Sequence, residues 1–316
     1  MEYLCIIYNM NFNPEKINIP EKRGILENEK HLNILYERIE KKLASYKPDL
    51  EDFRDIYFDE VDKDMVYVEE KLKQFDESLN NREDGDFFKK EKKIALITEG
   101  ILTDQLSGEW FNSLKEDAPY TVVAHPTSDF DDIRNGADLV LEVFNKDKEQ
   151  SKHLGLSIDV TFSSDIENLN RKMERIIGDI TGKHGKPAQV KYFESDFDDY
   201  KGAVTIARSV IVLSRNTIED LFKKEYSRDK DGLSSHQVQL SLLTQLQEQA
   251  ETFLQLCKVH GNSELGSIYE DIYKNIKYLK DEKKISHFEL EQDPILLQEK
   301  YDGLKLLHRA LLNNIM

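Results

Sequence analysis

Two short apolar runs of the chain carry carboxylates: Asp138 and Glu142 in "ADLVLEVF", and Asp159 in "LGLSIDVTF". Side chains on a strand alternate between its faces, so an acid inside such a run either faces water or is kept for chemistry. Leu154, Leu156, Ile158, Val160 and Phe162 alternate with Gly155, Ser157, Asp159, Thr161 and Ser163, which places one carboxylate on a face of small polar residues. On the earlier run Asp138, Val140 and Glu142 share one face, and Leu139, Leu141 and Val143 share the other. If the two strands pair, their polar faces fall on one side of a sheet. A third acid, Glu99, lies within about 60° of Leu102, Leu106 and Trp110 at helical spacing, so it belongs to an apolar stripe. Converging carboxylates repel one another unless a divalent cation neutralises them, and hard oxygen donors suit Mg²⁺ or Mn²⁺. The predicted ligands are Glu99, Asp138 and Asp159, with Glu142 as a further candidate. The plainer alternative is that the acids lie on an open sheet face and Glu99 pairs with a Lys or Arg.

The elements that must position these residues follow from periodicity. Leu32, Leu35, Ile39 and Leu43 mark one amphipathic helix in an acidic N-terminal stretch. "NNREDG" carries turn signals, and the first boundary is set at residue 91. Residues 92–230 read as an α/β core, and residues 231–316 as helical. Within the core, "IALITEGILTDQLSGEWFNSL" reads as a helix, "YTVVAH" as a strand broken by "HPTSDFDD", and "DLVLEVF" and "LGLSIDVTF" as antiparallel neighbours. A helix follows with Ile166, Leu169, Met173, Ile176 and Ile180 on one face and Ser164 or Asp165 as its cap. "AQVKYF" reads as a further strand, the unalternating "SVIVLS" as a central buried one, and "RNTIEDLFKKEY" as a helix capped by Asn216 or Thr217. The expected fold is therefore α/β, a mixed central sheet flanked by helices, with helical extensions at both ends. The Gln-rich stretch 237–255 is a helix that either packs on the core or offers its apolar face to a second copy or a protein partner.

Composition restricts the function. The formal charge of −17 over 316 residues argues against bulk attraction to nucleic acid, so any such contact must be local. The candidate patch is Arg171, Lys172, Arg175, Lys183 and Lys186, against the alternative of a solvated helix face. No apolar run approaches the roughly 20 residues that cross a bilayer, and the N-terminus lacks a secretory pattern. Cys5 and Cys257 suggest neither a metal site nor a disulfide framework, and a cytoplasmic setting is expected. Phosphate-loop, dinucleotide and serine-hydrolase motifs are absent from the sequence. His125 and His153 are candidate general bases or ordinary structural residues. Asp132 is a candidate extra ligand or a turn residue.

A helix bearing Glu, a strand entered by an acid, a hairpin to a strand bearing an acid, a helix and a further strand resemble the PD-(D/E)XK nuclease superfamily. Ala137-Asp138 stands where that family has Pro-Asp, and Asp159-Val160-Thr161 where it has (D/E)-x-Lys. "TSDFDDIRNGADLVLEV", "HLGLSIDVTFSSD" and "VKYF" are also similar in wording to divergent bacterial members of the superfamily. The resemblance covers residues 92–215 and implies a restriction-endonuclease-like core that hydrolyses DNA or RNA with Mg²⁺ or Mn²⁺ on Glu99, Asp138 and Asp159. It also marks a departure, because Thr161 cannot supply the positive charge of the family lysine. Lys191 on the later strand, or Lys172 on the helix, is the expected replacement. Without one, the fold is a binding module for nucleic acid or protein.

Overall fold

Leu32, Leu35, Ile39 and Leu43 line the buried side of helix α1 (Glu29–Ala44), whose start is capped by the Asn28 side chain accepting from the His31 N–H. That stripe packs on α4 (Gly85–Gln105), which buries Ile94, Ile97, Ile101 and Leu102 in the same core. The two helices cross closely at Gly100, where a Cβ would meet Ile39 Cγ2 at 2.3 Å. The computed structural model describes residues 24–81, 85–107, 119–160, 166–183 and 187–286; the side chains of 159–160, 166–168 and 282–286 lie outside that description. Trp110, Thr161, Lys186, the cap at 164–165 and the helix expected at 294–314 lie outside the described residues. Helix α4 runs unbroken across residue 91, and between α1 and α4 come a short α2 (Arg54–Tyr57) and the long α3 (Asp59–Asn80).

Strands β1 (Tyr120–Pro126), β2 (Leu139–Asn145), β3 (Gln150–Val160) and β6 (Ala207–Leu213) form one mixed sheet in the order β1-β2-β3-β6. The first three pair antiparallel, and β3 and β6 pair parallel. A parallel return needs a crossover, which α6 (Ile166–Ile180) and the hairpin β4 (Gln189–Glu194) to β5 (Lys201–Thr205) supply. "AQVKYF" thus forms a strand, but one in a separate two-stranded sheet with β5, which lacked a clear strand pattern. Leu139, Leu141 and Val143 face the main core, while Val140 on the opposite face packs with Val190, Phe193, Val204 and Ile206 of the hairpin.

Helices α7 (Arg215–Ser227) and α8 (Lys230–Ser234) follow β6, and Ser214, not Asn216 or Thr217, caps α7 by accepting from the Thr217 N–H. The C-terminal pair α9 (Val238–His260) and α10 (Ser263–Ser286) shares the main core, with Leu242, Leu246, Phe253 and Cys257 buried. Among the described residues, no helix is long and apolar enough to cross a membrane.

The run 209–214 is an edge strand and not a central one. An edge leaves backbone groups unpaired, and burying them without partners is costly. The glutamines of α9 resolve this. Gln249 accepts from the Val210 N–H at 2.9 Å and donates to the Val210 carbonyl at 2.7 Å. Gln245 does the same at Val212, at 3.0 and 2.9 Å. The two amides act as a substitute strand, and both faces of β6 are buried, which explains the unalternating sequence. Of the two expectations for the Gln-rich helix, packing on the core is the one observed. Gln249→Leu should orphan two buried backbone groups and lower stability by about 2–4 kcal/mol in a urea melt. Gln255→Ala, on the exposed side of α9, should change it by less than about 0.5 kcal/mol. Equal midpoints for the two variants would contradict the role given to the edge bonds.

Candidate functional site

The chain between β1 and β2 makes a tight excursion at one end of the sheet. Thr127 and Ser128 end β1, the Ser128 side chain caps α5 (Asp129–Asn135), and Gly136 terminates it at φ 64°, a conformation that favours glycine. Thr127 N–H then donates to the Asp138 carbonyl at 3.1 Å, and Asp138 N–H to the Leu156 carbonyl at 2.8 Å. Asp138 is thereby fixed beside β3 before β2 formally begins. Its carboxylate accepts from the Ile158 N–H at 2.5 Å, so backbone and side chain both lock to the same strand.

Two further acids of α5 have divided roles. The buried Asp131 accepts from the Lys191 and Tyr192 N–H groups at 2.7 and 3.0 Å and joins α5 to β4. Asp132 turns to the sheet end, where it lines one small cavity with Asp138. Glu99 of α4 completes the group, and its Oε1 is buried without a hydrogen-bond partner. Burial pushes the Glu99 carboxyl up to about 7, the charges of Asp138 and Asp129 add to this, and Lys47 opposes it. Asp132 is raised well above the usual carboxylate range, first by burial and then by Asp138 and Glu99. Asp138 is raised by burial against the pull of Lys172, the Ile158 N–H and Lys47.

Two lysines answer this negative charge. Lys172 of α6 donates to the Ile158 carbonyl at 2.8 Å, so it and Asp138 are anchored at the two polar groups of one residue. Lys47, in the turn after α1, stands 3.1 Å from Asp129 and 3.7 Å from Glu99. Burial alone would discharge it, but Glu99 and Asp129 outweigh burial and hold its pKa up. Lys47 carried no signal beyond its place before a proline.

The remaining predicted residues are distributed differently. Asp159 pairs with Val212 in the β3–β6 ladder, and its side chain lies outside the described set. Lys191 does not serve the site, because its ammonium is held at 2.7 Å by both Glu60 and Asp64 of α3 and lies over the Tyr57 ring. Arg171, Arg175 and Lys183 are exposed on or just after α6. Among the described residues, no three His, Cys, Asp or Glu side chains stand close enough to hold a metal ion together.

Glu142 shares the face of Asp138, but four residues of strand at about 3.3 Å each separate them. It is fully buried and accepts from Ser195 at 2.7 Å, with His125 Nε2 at 3.0 Å and His153 Nε2 at 3.7 Å. Both imidazoles pack edge-on against Phe193. This node fastens the loop after β4 to the sheet, so Glu142 joins no ligand set with Asp138 or Glu99, and the two histidines stand beside Glu142 instead of the site. Burial favours a neutral Glu142, yet the bonds with His125 and Ser195 and the nearby His153 prevail and hold it well below the usual carboxylate range.

Comparison of the chain with protein-family models, curated proteins and solved structures found no match. The geometry of the chain itself therefore carries the functional reading.

For Glu142 the geometry gives a signed expectation. Its folded pKa is depressed, so its stabilising effect is complete above about pH 4.5 and fades as pH falls below that. Glu142→Gln should destabilise by about 2–4 kcal/mol at pH 7. The gap from wild type should close in acid melts. A variant as stable as wild type at pH 7, or a gap that widens in acid, would contradict this role.

Proposed function

We propose that the chain is a metal-dependent phosphodiesterase that hydrolyses DNA or RNA, built on a divergent PD-(D/E)XK core. The observation that carries this reading is the meeting of Asp138 and Lys172 at Ile158, with bonds of 2.5 and 2.8 Å. A lysine thus stands near the acid that enters β2, which supports Lys172 as the source of the charge that Thr161 lacks. The buried Oε1 of Glu99, which has no hydrogen bond and only the Lys47 ammonium at 3.7 Å, and the neighbouring, upward-shifted carboxyls of Asp132 and Asp138 suit a cluster that takes a cation in place of protons. Glu99 and Asp138 would hold Mg²⁺ or Mn²⁺, with Asp159 as the ligand expected from the motif. When bound, such an ion polarises a phosphodiester and lowers the pKa of a coordinated water. Lys172 then stabilises negative charge developing on the phosphate, while its bond to the Ile158 carbonyl keeps it oriented. Lys47 neutralises Glu99 and Asp129 until the cation arrives.

The second reading, a binding module without catalysis, draws support from the same Lys47. A resident ammonium at 3.7 Å from Glu99 already relieves part of the repulsion that a metal would relieve.

The readings separate in a cleavage assay on labelled single- and double-stranded DNA and RNA with Mg²⁺, Mn²⁺ or EDTA. The nuclease reading predicts cutting only with metal, lost by about 100-fold or more in kcat for Asp138→Asn and Lys172→Met. Lys191→Met should cut at the wild-type rate, which distinguishes the two lysines. In thermal melts at pH 8, Mn²⁺ should raise the Tm of wild type and leave Asp138→Asn unchanged. Retention of nucleic acid without cutting under any metal would favour the binding module, and full activity of Lys172→Met would refute the assigned lysine.

A further inference from the structure

Beside the carboxylate cluster, α5, α6, β6 and the start of β4 border an open cavity of about 540 Å³ lined by Arg134, Arg175, Arg208 and Asp179. A smaller cavity of about 130 Å³ contains Asp132, Asp138 and Lys172, and Asn135, Arg175 and Arg208 line both. The two spaces therefore adjoin across these side chains.

The charge in the larger cavity is unbalanced. Among the described residues, Arg208 has a carboxylate at ion-pair distance, Asp179 at 3.3 Å, whereas no such partner stands beside Arg134 or Arg175. Within the larger cavity three guanidinium groups stand with one carboxylate, in a protein whose net charge is −17, and Asp132 and Asp138 lie in the smaller space beyond Arg175 and Arg208. Arg208 is largely buried, and its Nε has no hydrogen-bond partner. Burial lowers the Arg208 pKa, Asp179 opposes this, and the neighbouring Arg175 adds to the lowering. Gly136 lets Arg175 lie against the chain, because a Cβ there would come within 2.6 Å of Arg175 Nη1. Like charges held together on three elements fit an oxyanion that accepts several forked hydrogen bonds.

We propose that Arg134, Arg175 and Arg208 form a phosphate-binding site that grips one phosphate group of a nucleic-acid strand beside the carboxylate cluster. The carrier of that phosphate rests on the nuclease reading; the anion site itself does not. The phosphate is either an internal diester or the terminal monoester of a strand end, which present the same oxygens to the arginines.

The test is fluorescence anisotropy of labelled single-stranded oligonucleotides in EDTA, where binding needs neither metal nor cutting. Arg134→Ala/Arg175→Ala removes two exposed cavity arginines, and Arg171→Ala/Lys183→Ala removes two exposed charges outside the cavity. The first should weaken binding tenfold or more and reduce the slope of log affinity against log salt by about 0.7, the value for one phosphate on a single strand. The second should weaken it less than threefold. Oligonucleotides with 5′-phosphate, 3′-phosphate and no terminal phosphate separate the sources. An arginine-dependent preference for one phosphorylated end identifies the monoester, and equal binding identifies the diester. Equal losses from both double variants, or wild-type binding by the cavity variant, would overturn the site. A chain that binds through these arginines but cuts nothing would refute the nuclease and leave the site standing. A chain that cuts with metal while the cavity variant binds normally would do the reverse.

Discussion

Asp138 is tied to β3 twice, through its own N–H on Leu156 and through its carboxylate on Ile158, and its carbonyl accepts from Thr127 just after β1. These bonds hold a carboxylate at the end of the sheet beside two other acids, an arrangement that is electrostatically unfavourable unless compensated. Much around it serves that compensation. α5 is short and sharply capped, so that Asp132 reaches the sheet end. α6 brings Lys172 to the other polar group of Ile158, and the turn after α1 brings Lys47 to Glu99 and Asp129. Replacing such a cluster with well-packed apolar residues is often neutral or stabilising, so stability alone does not account for it.

The cluster depends on a rigid frame, and the frame depends on how β6 is finished. As the edge partner of β3, β6 sets the strand that carries Ile158 and Asp159. Gln245 and Gln249 complete its backbone bonding without a fifth strand. At the other end of β2, Glu142 with His125, His153 and Ser195 fixes the loop that closes the hairpin over the sheet. The two groups of acids on one face of β2 thus differ in kind. Glu142 is hydrogen-bonded within the fold, whereas the buried Oε1 of Glu99 has no hydrogen bond and only the Lys47 ammonium at 3.7 Å.

Residues governed by local periodicity are readable in the amino-acid order. The buried stripes of α1, α6 and α9 follow from the 3.6-residue period, and Glu99 falls on such a stripe for the same reason. The alternation in β2 and β3 gives their pairing. What resists reading depends on contacts between distant segments. Lys172 and Lys191 look equivalent as replacements for the family lysine. Only the topology places one at Ile158 and lets α3, within the first 91 residues, take the other. Glu142 looks equivalent to Asp138 on their shared face, until the loop after β4 supplies Ser195. An unalternating run such as β6 reads as central because burial on both faces leaves the same pattern whether a strand or a helix covers the edge. Arg134 and Arg208 lie outside the basic cluster of the sequence, and the fold joins them to Arg175.

The central claim is that the acids at the sheet end form a cation site. Diffraction from crystals grown with Mn²⁺, recorded where manganese scatters anomalously, tests it most directly. The account predicts an anomalous peak between the carboxylates of Glu99 and Asp138, with Lys47 withdrawn from Glu99. Crystals saturated with Mn²⁺ that show no peak there, and Lys47 still paired with Glu99 and Asp129, would contradict it.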